Sequence, residues 1–313
     1  MSDMSDDRPI LIAGPTAGGK SGLAARLAER YGGIVINADS MQVYRDLRIL
    51  TARPRPEDEE RLPHALYGFV EGGEAYSAGR YGADAARALE DARSKGLRPV
   101  IVGGTGLYFK TLIDGLSPMP EVAGEVRARW RTQAAQAQPG ELHRILCERD
   151  PEMAARLAPG DTQRIVRALE VIEASGVSLL EWQRAPRAPV LDAEQTIRLV
   201  IAPERGELYR RIDARFEAMM AAGALDEVAG LVALGLDPSL PIMSALGVRP
   251  LLRHLQGEIG REEAVRVAQA ETRQYARRQL TWARSNMITW KWLTEKETKN
   301  NEADFVAFID SLH

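Results

Sequence analysis

The chain has 313 residues, 45% hydrophobic and 27% charged, enough to bury a large core shared between a main domain and a smaller one. A net charge of −3 excludes a globally basic surface, so any nucleic-acid contact must rest on local basic faces. The single Cys147 excludes an internal disulfide, and His64, His143, His254 and His313 lack the spacing of a dedicated zinc site.

The acidic start over 1–7 lacks the charged-then-apolar pattern of a signal peptide, and no apolar run reaches the roughly 18 residues of a membrane span. A cytoplasmic, membrane-free protein is expected. The first predicted strand, over 9–13, runs into Gly14-Pro15-Thr16-Ala17-Gly18-Gly19-Lys20-Ser21 and then a helix with leucines four apart, Leu23 and Leu27. This is a phosphate-cradling P-loop in its required strand–helix context. Its glycines turn backbone N–H groups onto a phosphate at the positive end of the helix. Lys20 adds a point charge and Ser21 a hydroxyl for Mg²⁺.

A second strand is predicted over 33–37, with Asp39 just beyond it. Ligands of parallel sheets bind beyond the carboxyl ends of strands. Asp39 therefore either binds metal or accepts a proton, or else serves as an Asx turn or helix cap. A third strand over 98–102 ends in Gly103-Gly104-Thr105-Gly106, which permits close backbone approach with the Thr105 hydroxyl in the cleft, or forms a tight turn. Pro-rich connections then bracket a strand-poor stretch with helices expected over 126–138, 141–149 and 162–174. The predicted architecture is α/β: a P-loop parallel-sheet core domain wrapped by helices, over 1–115 and 196–313, with an inserted helical domain over 116–195.

The fourth strand is expected over 196–202, followed by a helix carrying Arg210, Arg211 and Arg215. One of these arginines closes over the P-loop ligand, or all belong to a solvated face. A fifth strand is placed over 287–290. Two basic faces remain. Asp161 caps a helix bearing Arg164 and Arg167 one turn apart, and Arg266, Arg273, Arg277 and Arg284 recur along one side of a C-terminal helix. From 261 to 284 there are six arginines against three acids, suited to either nucleic acid or solvent. Trp282, Trp290 and Trp292 serve base stacking or core packing.

Six ordered motifs give the chain a family resemblance from about residue 9 to 292. They are the P-loop, Asp39-Ser40-Met41-Gln42-Val43-Tyr44, Thr51-Ala52-Arg53-Pro54, Val102-Gly103-Gly104-Thr105-Gly106-Leu107-Tyr108, residues 161–170 and residues 272–279. In these it resembles the tRNA dimethylallyltransferases, also called tRNA isopentenyltransferases. The resemblance implies transfer of a dimethylallyl group from dimethylallyl diphosphate to N6 of the adenosine 3′ of the anticodon, in tRNAs reading U-starting codons. It also implies Mg²⁺ as cofactor and the tRNA anticodon stem-loop as partner; a monomer is expected.

By the same resemblance, Gly14, Thr16, Ala17, Gly18, Gly19, Lys20 and Ser21 hold the diphosphate, with Ser21 on the metal. Arg211 stabilises the leaving group, Asp39 is the general base and Thr105 positions the adenine. Asp39, Ser40, Met41, Gln42 and Thr105 meet the tRNA, as do Gln163, Arg164, Ile165, Val166 and Arg167 in the insert and Arg273 and Arg277 near the C-terminus. One departure is present: family members often read Arg-x-x-Gly-Tyr where this chain has Ser244-Ala245-Leu246-Gly247-Val248. The rival reading is a P-loop kinase of a small metabolite, with Asp39 activating a hydroxyl. A guanine-nucleotide switch is disfavoured by the lack of an Asn-Lys-x-Asp motif.

Overall fold

The computed structural model describes residues 7–294; the acidic start over 1–6 and His313 lie outside that range. Its centre is a parallel sheet of β1 (Ile10–Ala13), β2 (Gly33–Asn37), β3 (His64–Ala65), β4 (Arg98–Gly103), β5 (Ile197–Ile201) and β6 (Lys291–Leu293), in the order β3-β2-β4-β1-β5-β6. The register pairs Ile10 with Val100 on one side of β1 and with Ile197 on the other. All of β1 is buried, because its alternate residues feed two separate cores. Leu11 packs with Ile36, Ile101 and the helical residues Tyr81, Leu89 and Phe109. Ile10 and Ile12 pack on the opposite face with Leu23 and Leu27.

The helices around the sheet are α1 (Lys20–Arg30), α2 (Pro56–Arg61), α3 (Ala78–Ser94) and α4 (Gly106–Asp114). The chain then forms α5 (Gly124–Gln136), α6 (Glu141–Arg149), α7 (Pro151–Ala154), α8 (Thr162–Ser175) and α9 (Leu179–Arg184). It returns with α10 (Arg205–Ala221), α11 (Ala224–Ala233), α12 (Val248–Leu255) and the long α13 (Arg261–Asn286). Phe216, Met219, Val228, Leu251 and Ala268 from these last helices form a further core with Tyr44, Leu47 and Leu50.

Two compact units result, residues 7–113 with 190–294 and residues 114–189. The second has its own core of Trp130, Leu146, Ile165, Leu169 and Leu180, sufficient for an independently packed helical unit. Its boundary corrects the expected 116–195. The amides of Val190 and Leu191 both donate to the Leu112 carbonyl, and Leu191 packs in the sheet core, so the chain is back in the main unit before residue 195. The expected strand over 287–290 is also corrected. That stretch is the exit turn of α13, with Met287 and Trp290 buried, and the strand begins at Lys291. The two-residue edge strand β3 carries no sequence signal of its own.

Candidate active site

Backbone geometry explains the P-loop composition. Gly14 has φ +151°, and a Cβ there would lie 2.6 Å from the Ile201 carbonyl oxygen of β5. Ala17 and Gly19 both adopt left-handed conformations, at φ 59° and 88°, turning the loop into the first turn of α1. Lys20 is buried and its Nζ donates to the Pro15 carbonyl at 2.6 Å. Burial lowers the ammonium pKa to about 8; the carboxylate of Asp39 opposes that shift and the charge of Arg215 adds to it. The loop lines a cavity of about 370 Å³ that Ser21, Asp39, Gln42, Arg211 and Arg215 also face.

Asp39 sits just beyond β2 on a backbone clamped from within. The fully buried Asn37 accepts from the Asp39 amide at 2.8 Å and donates to the Asp39 carbonyl at 2.9 Å. Its Nδ2 also reaches the Leu66 carbonyl at 3.0 Å. One Asp39 carboxylate oxygen accepts from the Met41 amide at 2.9 Å. The Asx turn is therefore present, and it fixes the direction of the carboxylate. Asp39 lines both cavities of the site, and its charge acts on Lys20, Arg215 and Tyr275.

The glycines after β4 are there for close approach. None of Gly103, Gly104 and Gly106 has a positive φ. A Cβ on Gly103 would lie 2.0 Å from the Ala38 carbonyl oxygen, one on Gly104 2.1 Å from Gln279 Nε2, and one on Gly106 2.1 Å from the Trp282 ring. Thr105 differs from the expected cleft-facing hydroxyl. Its Oγ1 accepts from the Ser40 amide at 2.9 Å and donates to the Ser40 hydroxyl at 3.2 Å, so it braces the loop that carries Asp39.

Among the arginines of α10, Arg210 points outward with Glu207, while Arg211 and Arg215, one turn apart, both face the P-loop cavity. Arg211 donates from Nε to Glu207 at 2.8 Å. Arg215 goes deeper: it donates to the Thr16 hydroxyl of the P-loop, and its burial presses the guanidinium pKa down against the pull of Asp39. Sequence reasoning singled out Arg211; Arg215 lines the same cavity and donates to the Thr16 hydroxyl. The helical spacing marks both, and both are half-buried.

A second cavity of about 310 Å³ adjoins the first, and Thr16, Asp39, Thr51 and Arg215 line both. Its remaining wall combines the apolar Met41, Leu50, Ile212, Phe216, Met219 and Leu246 with Ser40, Thr272 and Arg278. Ser244 and Ala245 line it too, so the segment that departs from the family pattern belongs to this wall, whereas Val248 is buried in the core. Glu227 of α11 fixes the Leu50–Thr51 side by accepting from the amides of Arg48, Ile49 and Leu50 at 2.6, 2.7 and 2.9 Å. Gln42 braces the same loop, donating to the carbonyls of Thr51 and Ala52. Tyr275 of α13 closes another side, its pKa raised by burial and by Asp39, so its hydroxyl keeps its proton.

The expected RNA-facing residues divide. In α8, Gln163 and Arg164 are exposed, Arg164 pairs with its capping Asp161 at 3.3 Å, and Arg167 pairs with Glu170 at 3.3 Å. Ile165 is fully buried, which removes its side chain from any RNA surface, and Val166 is partly buried against the same core. On α13, Arg266, Arg277 and Arg284 are exposed, but Arg273 is tied to Asp213 of α10. Trp290 is a core residue, edge-on to Phe109, and Trp282 covers Gly106.

Similarity to known proteins agrees with this geometry. The IPP transferase family profile matches residues 42–286, and the isopentenyl transferase profile matches residues 8–64. The tRNA dimethylallyltransferase of Rhodopseudomonas palustris is 54% identical over 297 residues, covering 93% of this chain and 94% of that one. The chain belongs to the tRNA dimethylallyltransferase family. The member from Parvibaculum lavamentivorans is 48% identical, covering 97% of this chain and 96% of its own. Among solved family structures, the tRNA isopentenylpyrophosphate transferase of Bacillus halodurans aligns with a TM-score of 0.65 at 30% identity, covering 92% of this chain and 90% of that one. A eukaryotic dimethylallyltransferase acting on tRNA aligns with a TM-score of 0.77 at 26% identity, covering 97% of this chain and 79% of that chain.

Proposed function

We propose that the enzyme transfers a dimethylallyl group from dimethylallyl diphosphate to N6 of the adenosine 3′ of the anticodon in tRNAs reading U-starting codons. The observation that carries this reading is the joining of two cavities at Asp39 and Arg215, one built on the P-loop with Lys20 and Arg211, the other holding the apolar side chains Met41, Leu50, Ile212, Phe216, Met219 and Leu246 beside Thr272 and Arg278. A diphosphate suits the first and a short branched hydrocarbon the second. The bond to be broken then falls at their junction, beside the carboxylate. The names of the relatives supply tRNA as acceptor.

In this mechanism the amine nitrogen forms a bond to C1 of the prenyl chain as the C1–oxygen bond breaks and diphosphate departs. Adenine's amine is a poor nucleophile because its lone pair is delocalised into the ring, so Asp39 takes the N6 proton as the new bond forms. Charge accumulates on the departing oxygen, and Lys20, Arg215, Arg211 and the loop N–H groups meet it. Thr105 acts through Ser40, holding the Asp39 loop in place.

Mg²⁺ fits the donor set. Ser21 contributes a hard hydroxyl oxygen to the P-loop cavity, and the described residues contain no cluster of three or more His, Cys, Asp or Glu side chains. Magnesium held by one or two protein oxygens and substrate phosphate matches that sparse set. When bound, the ion neutralises charge on the diphosphate. The exposed Arg164 and the half-buried Arg167 of one unit, and the exposed Arg277 of the other, supply positive charge for RNA phosphates. No helix among the described residues is long and apolar enough to cross a membrane, and the exposed thiol of Cys147 suits a reducing cytoplasm.

The test is incubation with labelled dimethylallyl diphosphate or labelled ATP, with and without tRNA. Label from the prenyl donor should enter tRNA at the anticodon-adjacent adenosine only when tRNA and Mg²⁺ are both present. ATP turnover without tRNA, with no prenyl transfer, would establish the kinase reading instead.

A further inference from the structure

Gln279 lies on α13, far along the chain from both glycine loops, yet its side chain joins them. Its Oε1 accepts from the amide of Thr16 in the P-loop at 2.8 Å, and its Nε2 donates to the carbonyl of Gly104 after β4 at 2.9 Å. The partners fix the amide's orientation, since a backbone N–H only donates and a carbonyl only accepts. Tyr275, one turn earlier on α13, lines the second cavity. Gly104 has room for this contact only because it lacks a Cβ, which would lie 2.1 Å from Nε2.

Each loop joined this way holds one half of the proposed chemistry. The Thr16 loop cradles the diphosphate. The loop after β4 holds Asp39 in place through Thr105 and Ser40, and through the contact of Gly103 with Ala38. We propose that Gln279 is a positioning residue that sets the spacing between the leaving-group cradle and the Asp39 carboxylate. The inference rests on the prenyl-transfer reading of the site. Reactions at such junctions are steep in distance: a misplacement of about 1 Å costs on the order of a hundredfold in rate.

The test uses the full-length enzyme with dimethylallyl diphosphate, Mg²⁺ and tRNA. Q279M keeps the volume and loses both hydrogen bonds; Q279A vacates the space beside Gly104. Both should lower single-turnover rate and kcat by about 10- to 100-fold, with donor KM and tRNA affinity within about threefold of wild type. G104A should be impaired as well, because its methyl displaces the Gln279 amide, while Q279A/G104A should be no slower than Q279A alone. That non-additivity separates positioning from a general loss of stability, which would add. If Q279A fails to fold, the split between kcat and KM in Q279M decides. Unchanged kcat in folded Q279M, a loss confined to donor KM, or fully additive effects in the double variant would overturn the proposal. Failure of the wild-type enzyme to transfer a prenyl group would instead overturn the underlying reading of the site.

Discussion

Replacing Lys20 with methionine should make the protein more stable while disabling its phosphate site. Burial lowers the Lys20 pKa from 10.5 to about 8, which corresponds to a cost of about 3 kcal/mol for keeping the ammonium charged in the fold at neutral pH. Methionine fills similar space without that cost. The lost hydrogen bond from Nζ to the Pro15 carbonyl offsets about 1 kcal/mol, leaving a net gain of about 2 kcal/mol. Between the folded and unfolded pKa values the unfolded chain binds more protons at this lysine, so wild-type stability rises with pH across that window. The advantage of Lys20→Met should therefore be full below about pH 8 and shrink toward about pH 10. Urea unfolding of both proteins at neutral pH and near pH 10 measures it. Calorimetry should show wild-type enzyme taking up protons when dimethylallyl diphosphate binds near pH 8, and the variant taking up none at this site. A Lys20→Met protein less stable than wild type at neutral pH, or one whose advantage is independent of pH, would refute the reasoning.

Asp39→Asn keeps an acceptor for the Met41 amide but cannot take the amine proton, so single-turnover prenyl transfer should fall by about two to four orders of magnitude with near-normal substrate binding. Recovery of most of that rate at raised Mg²⁺ would assign Asp39 to the metal instead. Arg215→Gln should lower kcat more than Arg211→Gln, because Arg215 donates to the Thr16 hydroxyl and lines both cavities; equal losses in steady-state kinetics would reject this ranking. Gly103→Ala drives a methyl into the Ala38 carbonyl at 2.0 Å and displaces the Asp39 loop. It should lower the melting temperature and abolish most activity, and a variant active at wild-type level would show that the loop yields freely.

What could be read from the chain was whatever is local. The P-loop, the strands over 33–37 and 98–102 and the cap at Asp161 each announce themselves within a dozen residues, through apolar runs, glycine spacing or a capping side chain. The pair Arg211 and Arg215 was visible as helical spacing, but the contact of Arg215 with Thr16 depends on where α10 meets the P-loop. Asn37, Glu227 and Gln279 hold the site together through contacts to backbone amides and carbonyls. Glu227 reaches Arg48 across 179 residues and Gln279 reaches Thr16 across 263, and no pattern in the intervening sequence encodes either. The apolar run over 287–290 misled for a related reason. Met287 and Trp290 are apolar because they seal the end of α13 against the sheet, a demand of packing that resembles a strand in sequence.

The strand order also has a consequence for synthesis of the chain. β1 lies between β4 and β5, and a long stretch separates the end of β4 at Gly103 from the start of β5 at Ile197. At about 5–20 residues per second, a ribosome needs roughly five to twenty seconds to cover that stretch. Throughout that interval the nascent sheet can complete only one side of β1, leaving the backbone of its most apolar strand as an open edge able to pair with another chain. The helical unit of 114–189 has its own core and can fold in the meantime, so the early sheet is the vulnerable part. The P-loop stays incomplete for as long, since Gly14 rests on Ile201, and the clamp of Gln279 follows only with α13. Phosphate binding therefore has to wait for β5 and α13 to be made.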